Sequence, residues 1–424
     1  MPEVDVSFLE LGVVTLDGRL RTRSIPRAQI DSVIREGFGF DGSSLKFVPI
    51  EDSDLVAIPD IKTLKIFTFN GRRVGFALCD VYKDEEPLPY YPRFVAKRVA
   101  SEFEEKLLVG PEMEFYAITR EPQTNEAYMW PAPQDSIKII KQELMQSLID
   151  LGIEVRLEHH EVAECQHEVV FHHKSLLEMA DLLIFAKYFA KLFFSQHGID
   201  VTFMPKPFQD LAGSGMHCHL SLWRGNENLF EGDGELSNEG KSFLAGVLRR
   251  VKEFTIFSNN TVNSFKRLVP GFEAPVYVTW GYGNRTTLVR IPSYTSKLNR
   301  IEVRSPDPLS NPYFTFTAIL LAGMEGMKAK AKLPPPTQEN VYEMVEEERV
   351  ARGIEPLPAS LKEAIEMAEK SEIVDKILGP KGKKLYLEEK KREWERYLNY
   401  LKLHQLPVNT KAVTKWEKER YFHA

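Results

Sequence analysis

The stretch that decides the fold runs from Asn263 to Pro308 and reads NSFKRLVPGFEAPVYVTWGYGNRTTLVRIPSYTSKLNRIEVRSPDP. Near its end, in Arg300-Ile301-Glu302-Val303-Arg304, the charged residues occupy every second position. A β-strand places alternate residues on the same face, so the three charges share one face and the two apolar residues share the other. The pattern predicts a strand that turns a charged face towards a site and an apolar face towards the core.

The same stretch is rich in arginine and carries two isolated glutamates: Arg267, Arg285, Arg290, Arg300, Arg304, Glu273 and Glu302. The planar guanidinium donates hydrogen bonds in a fork that matches carboxylates and phosphates. Five arginines on strands and turns therefore indicate a site for a polyanion. The alternative is a set of structural arginine–carboxylate pairs, because buried charge is costly unless it is paired.

Composition limits the classes of function. The chain has 424 residues, 43% apolar and 27% charged, which is enough for two or more domains. A formal charge of −6 argues against nucleic-acid binding. The sequence has no apolar run of about 18 residues and no signal-like start, so we expect no membrane partner. Three cysteines without a CxxC pattern fit a reducing compartment, and we expect a cytoplasmic protein.

Periodicity predicts short strands and one helix, Ala28–Glu36, in residues 1–83, followed by an acidic, proline-rich linker at Asp84–Pro92. Mixed strands and helices follow. The predicted helices of this part are Arg93–Lys106, Ser136–Leu151, Leu176–Gln196, Glu239–Phe257 and Tyr313–Lys332. The predicted strands are Leu108–Ala117, Glu154–Glu158, Thr202–Met204 and Gly215–Trp223. Residues 337–424 are predicted to be helical, with a charged, solvated face.

The segment GPEMEF places Glu112 and Glu114 two residues apart, on one strand face. Two close carboxylates repel each other unless a cation lies beside them. Carboxylate oxygens suit Mg²⁺ or Mn²⁺. A single ExE pattern is nevertheless a weak signal.

Two further segments are dense in metal-ligand residues. In GSGMHCHLSLW, His217, His219 and Ser221 share one strand face, although a pair of core histidines is the alternative. Between residues 158 and 168, Glu161 and Glu168 are separated by a short turn-like segment. The histidines of this region are candidate ligands, although for each taken singly a structural or outer-sphere role is favoured: His159, His160, His167, His172 and His173.

Taken together, these segments predict a charged cavity that holds divalent metals and a polyphosphate. Phosphoryl transfer needs metal ions that bridge phosphate oxygens and cations that stabilise the charge of the transition state, and little covalent help from the protein.

The motifs FDGSS, GPEMEF, HHEVAECQHE, FMPKPF, GSGMHCHLSLW, NSFKRLVPGFEAPV, NRTTLVRIP and RIEVRSPDP extend over nearly the whole chain. In combination they resemble glutamine synthetase of the prokaryotic type I class. The resemblance implies an α+β fold. A small N-terminal β-grasp domain, residues 1–85, precedes a large catalytic domain, residues 86–424, whose antiparallel sheet forms an open funnel flanked by helices. It also implies a homo-oligomeric dodecamer of two hexameric rings.

The resemblance implies roles for individual residues. Metal ligands would be Glu112, Glu114, Glu161, Glu168, His217 and Glu302, for two or more Mg²⁺ or Mn²⁺ ions per site. ATP would be bound by His219, Ser221, Arg285, Arg290 and Arg300, and glutamate by Gly213, Arg267 and Arg304. Ammonium would be bound by Asp41, Ser44, Tyr128 and Glu161, with Asp41 and Ser44 reaching the adjacent subunit's site. Glu273 would lie on a closing flap, and Asp41, Glu273 and Arg285 would be catalytic.

The implied activity is ATP-dependent ligation of ammonia to L-glutamate through γ-glutamyl phosphate, giving L-glutamine, ADP and phosphate. One alternative is a ligase that joins glutamate or a similar acid to an organic amine. A catalytically silent homologue is a further alternative, and it predicts lost metal ligands or arginines, which this sequence retains.

The sequence departs from the family pattern at three places. Ala212 stands where the family has Asn before GSGMH, which bears on recognition of the acid. Glu164-Cys165 replaces the usual small turn residues between two metal ligands. The helix that usually precedes the first strand is missing, so a single hexamer is the alternative to the dodecamer.

Overall fold

Residues 5–87 of the computed structural model form a seven-stranded sheet covered by one α-helix; in all, the structure describes residues 5–272, 274–294 and 297–424. The elements of this sheet are β1 (Phe8–Val14), β2 (Leu20–Pro26), α1 (Arg27–Glu36), β3 (Phe38–Asp41), β4 (Asp54–Pro59), β5 (Lys65–Phe69), β6 (Arg72–Lys83) and β7 (Glu86–Pro87). Strand order is β2-β1-β6-β4-β3, with β5 and β7 also paired to β6. Strands β1 and β6 run parallel, whereas the other pairs are antiparallel.

Strand β1 shows the alternation that its sequence predicts. Leu9, Leu11 and Val13 are buried beneath the sheet. The turn to β2 needs Gly18, which has φ +84°, a left-handed conformation that costs glycine little. Strands β1 and β2 thus form a hairpin, and the helix predicted at Ala28–Glu36 is confirmed as Arg27–Glu36.

The segment predicted as a linker, Asp84–Pro92, is instead packed between the two parts of the molecule. The Tyr91 hydroxyl donates to the Cys79 carbonyl at 3.0 Å and accepts from the Val14 amide at 3.1 Å. The Tyr90 hydroxyl donates to the Phe47 carbonyl at 2.7 Å. Both rings are almost fully buried, and their hydroxyls have the hydrogen-bond partners that a buried tyrosine needs. Aromatic residues in a proline-rich segment can therefore belong to the core and not to a linker.

The rest of the chain builds a second, larger sheet. Its strands are β8 (Lys106–Ile118), β9 (Val155–His160), β10 (Gln166–Phe171), β11 (Lys174–Ser175), β12 (Asp200–Thr202), β13 (Met216–Arg224), β14 (Glu227–Asn228), β16 (Trp280–Tyr282), β17 (Val289–Ile291) and β19 (Ile301–Val303). The order along the sheet is β16-β17-β19-β13-β8-β10-β9. It is antiparallel except that β16 and β17 run parallel. Two short strands, β15 (Gly232–Asp233) and β18 (Lys297–Leu298), pair separately.

The helices of this part are α2 (Pro92–Ser101), α3 (Lys138–Asp150), α4 (Leu176–Gln196), α5 (Asn238–Ser258), α6 (Ser264–Arg267), α7 (Pro312–Lys328), α8 (Glu346–Ala351), α9 (Leu361–Glu369), α10 (Glu372–Leu403) and α11 (Lys415–Tyr421). Of these, α3 and α4 pack against the second sheet. The bounds of α4 are those predicted, and Ser175 and Glu178 form a capping box at its start. Helix α2 ends earlier than predicted, because Lys106 already begins β8. Among the described residues, no helix is long and apolar enough to cross a membrane.

The sequence predicted a charged, solvated face for the C-terminal region, but part of this charged surface is buried. Helix α10 buries one side, and Lys390 and Glu393 are each 1% exposed. Their side chains pair at 3.2 Å, and the Tyr421 hydroxyl donates to Glu393 at 2.6 Å. These buried charges are tolerated because they are paired and hydrogen-bonded. The composition of a charged helix does not show which of its charges are paired in this way.

Candidate active site

One face of the second sheet carries a row of polar side chains contributed by six strands, which we call the cross-strand row. Its directly opposed pairs are His159–Glu168, Glu168–Glu114, Glu112–His217, His219–Glu302 and Glu302–Arg290. Directly opposed residues of antiparallel strands lie on the same face, about 5 Å apart at Cβ. The alternation seen in the sequence therefore brings residues from positions 112 to 302 into one line.

Glu112 is the centre of the row. His217 Nδ1 lies 3.1 Å and His219 Nε2 lies 2.8 Å from its two carboxylate oxygens. Although burial opposes its charge, these hydrogen bonds hold the pKa of Glu112 well below its usual range. Burial and the nearby Arg304 charge lower the pKa of His217 to about 4. The imidazole is therefore neutral and the carboxylate ionised, which is the protonation that metal ligation requires.

A second group of carboxylates surrounds Glu114. This buried side chain accepts from the Gly215 amide at 2.9 Å and from the Gln166 amide at 3.0 Å. Burial and the negative charges of Glu161 and Glu168 raise the pKa of Glu114 well above its ordinary value. Burial likewise raises the pKa of Glu168. Carboxylates that repel one another in a buried site are the arrangement that a divalent cation relieves.

His159 lies at the site and contacts two predicted metal ligands, which is compatible with the outer-sphere role predicted for it. Its Nε2 lies 3.0 Å from Glu168 Oε1 and its Nδ1 lies 3.6 Å from Glu161 Oε1. Burial opposes its charge, but the hydrogen bond to Glu168 and the two carboxylates raise the pKa of His159 to about 9. The sequence carried a signal for this position, since His159 lies two residues before Glu161.

Three groups in this row bring ligand atoms within 4.8 Å of one another: Glu112/Glu168/His217, Glu112/His219/Glu302 and His159/Glu161/Glu168. All six residues predicted as metal ligands lie in or beside these groups. Glu114 stands outside the three groups, but the charges of Glu161 and Glu168 act on it directly. The donor set of carboxylate oxygens with a few imidazoles fits Mg²⁺ or Mn²⁺.

Glu302 holds two of the predicted anion-binding arginines. Its oxygens lie 2.5 Å from Arg290 Nη1 and 2.5 Å from Arg304 Nη1. Burial raises and the Arg304 charge lowers its pKa, with a net value of about 2. The Tyr294 hydroxyl accepts from Arg290 Nη2 at 2.6 Å. Arg290 and Arg304 thus flank Glu302, and the charge of Arg304 helps to keep it ionised.

Arg267 is bound to the backbone beside the site. It is 2% exposed and donates to the carbonyls of Ser305 at 2.8 Å, Pro306 at 3.2 Å and Arg304 at 3.0 Å. Gly213 lies next to it, where an added Cβ would come within 2.6 Å of the Pro205 carbonyl and 2.8 Å of the Arg267 side chain. The glycine is required by close packing.

A cavity of about 720 Å³ opens over the row. Among its lining residues are predicted site residues: Glu112, Glu114, Tyr128, Glu161, Glu168, Gly213, His217, His219, Arg267, Arg285 and Arg300. Ala212, Asn125 and Arg156 line it as well. The Tyr128 and His159 rings meet edge to face at 5.4 Å, which places Tyr128 beside the carboxylates. Its volume lies within the range of about 300–1,000 Å³ that is usual for small-molecule sites.

Some predicted residues lie elsewhere. Ser221 is not among the described residues that line the cavity, and its hydroxyl accepts from the Trp223 indole at 2.9 Å. Glu273 lies outside the described residues. Asp41 and Ser44 are exposed at the edge strand of the first sheet, away from the described cavity lining.

Asp41 forms a compact turn with the two serines that follow it. Its oxygens accept from the Ser43 hydroxyl at 2.6 Å and the Ser44 hydroxyl at 2.5 Å. These hydrogen bonds lower the pKa of Asp41 to about 2, so the carboxylate is ionised at neutral pH. The loop presents a fixed negative charge to whatever approaches this edge.

Comparisons with known proteins agree with this geometry. The model of the glutamine synthetase β-grasp domain matches residues 5–84, and that of the glutamine synthetase catalytic domain matches residues 89–421. The curated glutamine synthetase of Pyrococcus abyssi is 42% identical over 98% of this chain and 96% of its own length. That of Methanocaldococcus jannaschii is 38% identical over 93% of this chain and 88% of its own length.

Solved structures show the same fold. A GmaS/ADP complex superposes with a TM-score of 0.84 at 31% identity, covering 98% of this chain and 96% of that one. The cryo-EM structure of Plasmodium falciparum glutamine synthetase gives a TM-score of 0.83 at 24% identity, covering 100% and 97%. The small β-grasp domain and the large catalytic domain that the sequence predicted are thereby confirmed.

Proposed function

This chain belongs to the glutamine synthetase family, a ligase family that forms glutamine from glutamate and ammonia with ATP, and we propose that the cross-strand row is the centre of that reaction. The observation that carries the proposal is the row itself. Buried carboxylates that repel one another lie beside the neutral imidazole of His217, and arginines stand on the same sheet. The proposed division places the β-grasp domain at residues 1–85 and the catalytic domain at 86–424.

The metals are two or more Mg²⁺ or Mn²⁺ ions for each site. Glu114, Glu161 and Glu168 would hold one ion, and Glu112, His217 and Glu302 would hold another. The raised pKa of Glu114 supports this assignment, because a cation removes the repulsion that raises it. When bound, such ions neutralise the charge on phosphate oxygens during phosphoryl transfer.

The cavity then binds the substrates. We assign ATP to His219, Ser221, Arg285, Arg290 and Arg300, and glutamate to Gly213, Arg267 and Arg304. The positions of Arg285 and Arg300 on the cavity wall support the nucleotide assignment, as does the similarity to a GmaS complex with ADP. Arg290 and Arg304 would act in concert with Glu302, which holds both guanidinium groups.

The reaction has two steps. The γ-carboxylate of glutamate attacks the γ-phosphorus of ATP, which forms γ-glutamyl phosphate and releases ADP. Ammonium loses a proton to a base, and the resulting ammonia displaces phosphate to give glutamine. A flap that carries Glu273 would exclude water, since an acyl phosphate hydrolyses readily.

The ammonium pocket would combine Tyr128 and Glu161 of one copy with Asp41 and Ser44 of the neighbouring copy. Asp41 is exposed and ionised, which suits attraction of ammonium, whereas a carboxylate with a pKa of about 2 must lose its serine hydrogen bonds before it can accept a proton. This arrangement requires a homo-oligomer, and we propose the dodecamer of two hexameric rings, with a single hexamer as the alternative. We propose a cytoplasmic location.

A test compares acceptors directly. Phosphate release is measured with ATP, Mg²⁺ and glutamate, with ammonium or each of a panel of organic amines, and products are identified by mass. Ammonium-dependent, saturable glutamine formation is expected. Glu302→Gln serves as the inactive variant, and Glu325→Gln, which removes a partly exposed pair with Arg250, serves as the matched control.

A second candidate is a ligase for an organic amine. The alanine at position 212 and the altered turn at Glu164-Cys165 are the observations that favour it. Turnover with an organic amine but not with ammonium would replace the main proposal with this one. An absence of turnover with every pair would overturn both.

A further inference from the structure

The hairpin formed by β9 and β10 has two functional faces. His159 opposes Glu168 on the face that looks into the cavity. One position along, His160 opposes His167, so these two histidines share the other face. Their ring centroids lie 4.6 Å apart at an interplanar angle of 73°. The hairpin therefore carries a second group of ligand-type side chains, which the glutamine synthetase reaction does not use.

Asp135 completes this second group. It lies in the loop before α3, where its amide donates to the Pro131 carbonyl at 2.9 Å. One ligand atom from each of Asp135, His160 and His167 falls within 4.8 Å of the others, and all three residues are at most 3% exposed. The group is far more buried than an ordinary surface cluster.

The hydrogen bonds of the two histidines leave ligand atoms available. His160 Nδ1 lies 2.8 Å from the Glu161 carbonyl and donates to it, so the lone pair of a neutral ring is on Nε2. A ligating histidine in proteins usually donates its other N–H in this way. His167 Nδ1 is buried and has no hydrogen-bond partner among the described residues. An orphaned buried nitrogen calls for an unseen partner.

Lys141 is the main obstacle, because a second cation would repel a metal ion. Its ammonium lies 2.7 Å from Asp135 Oδ2, but it also lies 2.7 Å from Glu158 Oε2. Glu158 is in addition paired with Lys138. The charges of these four groups sum to zero, and the other oxygen of Asp135 accepts only a long bond of 3.3 Å from the Ile137 amide. That oxygen remains suited to a metal.

We propose that Asp135, His160 and His167 form a Zn²⁺ site, separate from the Mg²⁺ or Mn²⁺ ions of the cross-strand row. Two imidazoles and one carboxylate are a donor set that Zn²⁺ favours over Mg²⁺, with a fourth position left for water. A small cavity adjoins all three residues. Its accessible volume of about 10 Å³ leaves room for about one water. The ion would fix the loop before α3 to the hairpin that carries Glu161 and Glu168.

The test measures metal that resists competition by Mg²⁺. Full-length protein is stripped with a chelator and titrated with Zn²⁺, and with Co²⁺ as a spectroscopic probe, in a large excess of Mg²⁺ that fills the oxygen-rich sites. We expect one tightly bound ion per chain and a strong visible Co²⁺ spectrum typical of four-coordination. X-ray absorption of the Zn²⁺ form should show two imidazoles.

Variants locate the ion. His160→Gln, His167→Gln and Asp135→Asn should each weaken Zn²⁺ binding by at least about tenfold, since even an outer partner of a metal ligand contributes about 10–100-fold. His172→Gln, an exposed histidine just beyond the same hairpin, is the matched control and should leave affinity unchanged. His217→Gln should also leave it unchanged, because that residue belongs to the cross-strand row. Circular dichroism checks that each variant is folded.

Three results would overturn the proposal. Wild-type protein that retains no Zn²⁺ in excess Mg²⁺ has no such site. Loss of the ion in His217→Gln, with retention in Asp135→Asn, would place it in the cross-strand row. If the histidine variants do not fold, absorption data on the wild type that lack imidazole scattering would decide against it.

Discussion

Replacing Glu302 by Gln should disable both the site and the structure around it. The side chain is 1% exposed, and each of its oxygens lies 2.5 Å from a guanidinium nitrogen, of Arg290 on one side and of Arg304 on the other. Gln has nearly the same shape but no charge. Two buried cations would then lose the carboxylate that both of them contact.

The magnitude follows from that geometry. Removing one partner of a buried ion pair costs about 3–5 kcal/mol, because the remaining charge stays desolvated. We expect a loss of about 3 kcal/mol or more in the free energy of unfolding. If the same charge is also lost from the transition state of phosphoryl transfer, a 3 kcal/mol effect lowers kcat by about 100-fold or more.

The assay combines urea denaturation with steady-state phosphate release at saturating Mg²⁺, ATP and glutamate. Glu325→Gln is the control, since its pair with Arg250 at 2.7 Å is partly exposed and should be worth under about 1 kcal/mol. A double variant with Arg290→Gln should be less destabilised than the sum of the two single variants, by about 0.5–3 kcal/mol. Near-normal stability and turnover of Glu302→Gln would refute this account, as would strict additivity in the double variant.

Three more changes test other parts of the molecule. Asp41→Ala should impair glutamine formation more than formation of acyl phosphate, measured by trapping with hydroxylamine, and equal loss of both would count against its role with ammonium. Ala212→Asn should change the KM for glutamate about fivefold, the effect of roughly one hydrogen bond, because Ala212 lines the cavity; an unchanged KM would remove this position from acid recognition. Burial lowers the pKa of Lys187 from 10.5 to about 8, so the unfolded chain binds more protons between these values and stability should rise with pH across this window, by up to about 3 kcal/mol. Lys187→Met should flatten that rise in urea denaturation curves recorded from pH 7 to 10, and an identical slope in both proteins would contradict the burial argument.

The sequence predicted best where one strand carries its own pattern. The alternation in residues 300–304 and in GPEMEF predicted a polar face for β19 and β8, and the structure places Glu302 and Glu112 on that face. Helix α4 was predicted to the residue because Ser175 and Glu178 cap its start and an apolar stripe follows. Local physics specifies such elements without reference to the rest of the chain.

Prediction failed where a side chain's partner is distant in sequence. Tyr91 looks like a linker residue until Cys79 and Val14 are placed beside it. The pairing of Arg290 with Glu302 of a neighbouring strand could be given from the sequence only as an alternative to anion binding. Strand alternation places His159 and His160 on opposite faces of the hairpin. Only strand register shows which residues they oppose, Glu168 and His167.

Arg93 shows the same limit of prediction from sequence, with several partners at once. It was predicted only as the first residue of a helix, yet its guanidinium joins Asp60, Asp80 and Asp181 at 2.7, 2.9 and 2.9 Å. Asp60 and Asp80 belong to the first domain, and Asp181 belongs to helix α4 of the second. The ion pairs of Arg93 therefore link the two domains. Composition and periodicity contain no signal for a residue that acts through three partners up to 88 positions away.

The register of the cross-strand row makes the active site a property of the finished sheet. Each strand contributes one or two side chains, and a slip of one residue in any strand would turn its contribution to the opposite face. Of the carboxylates in the row, Glu112 comes first in the sequence and Glu302 comes last, so they lie far apart in the chain. No proteolytic fragment that stops short of β19 can assemble the row, and complementation by two fragments would restore activity only when both halves of the sheet pair in register. Metal-dependent turnover is therefore a sensitive measure of complete folding. Cleavage of the chain at one site would be detected as a loss of turnover even where the secondary structure stays intact.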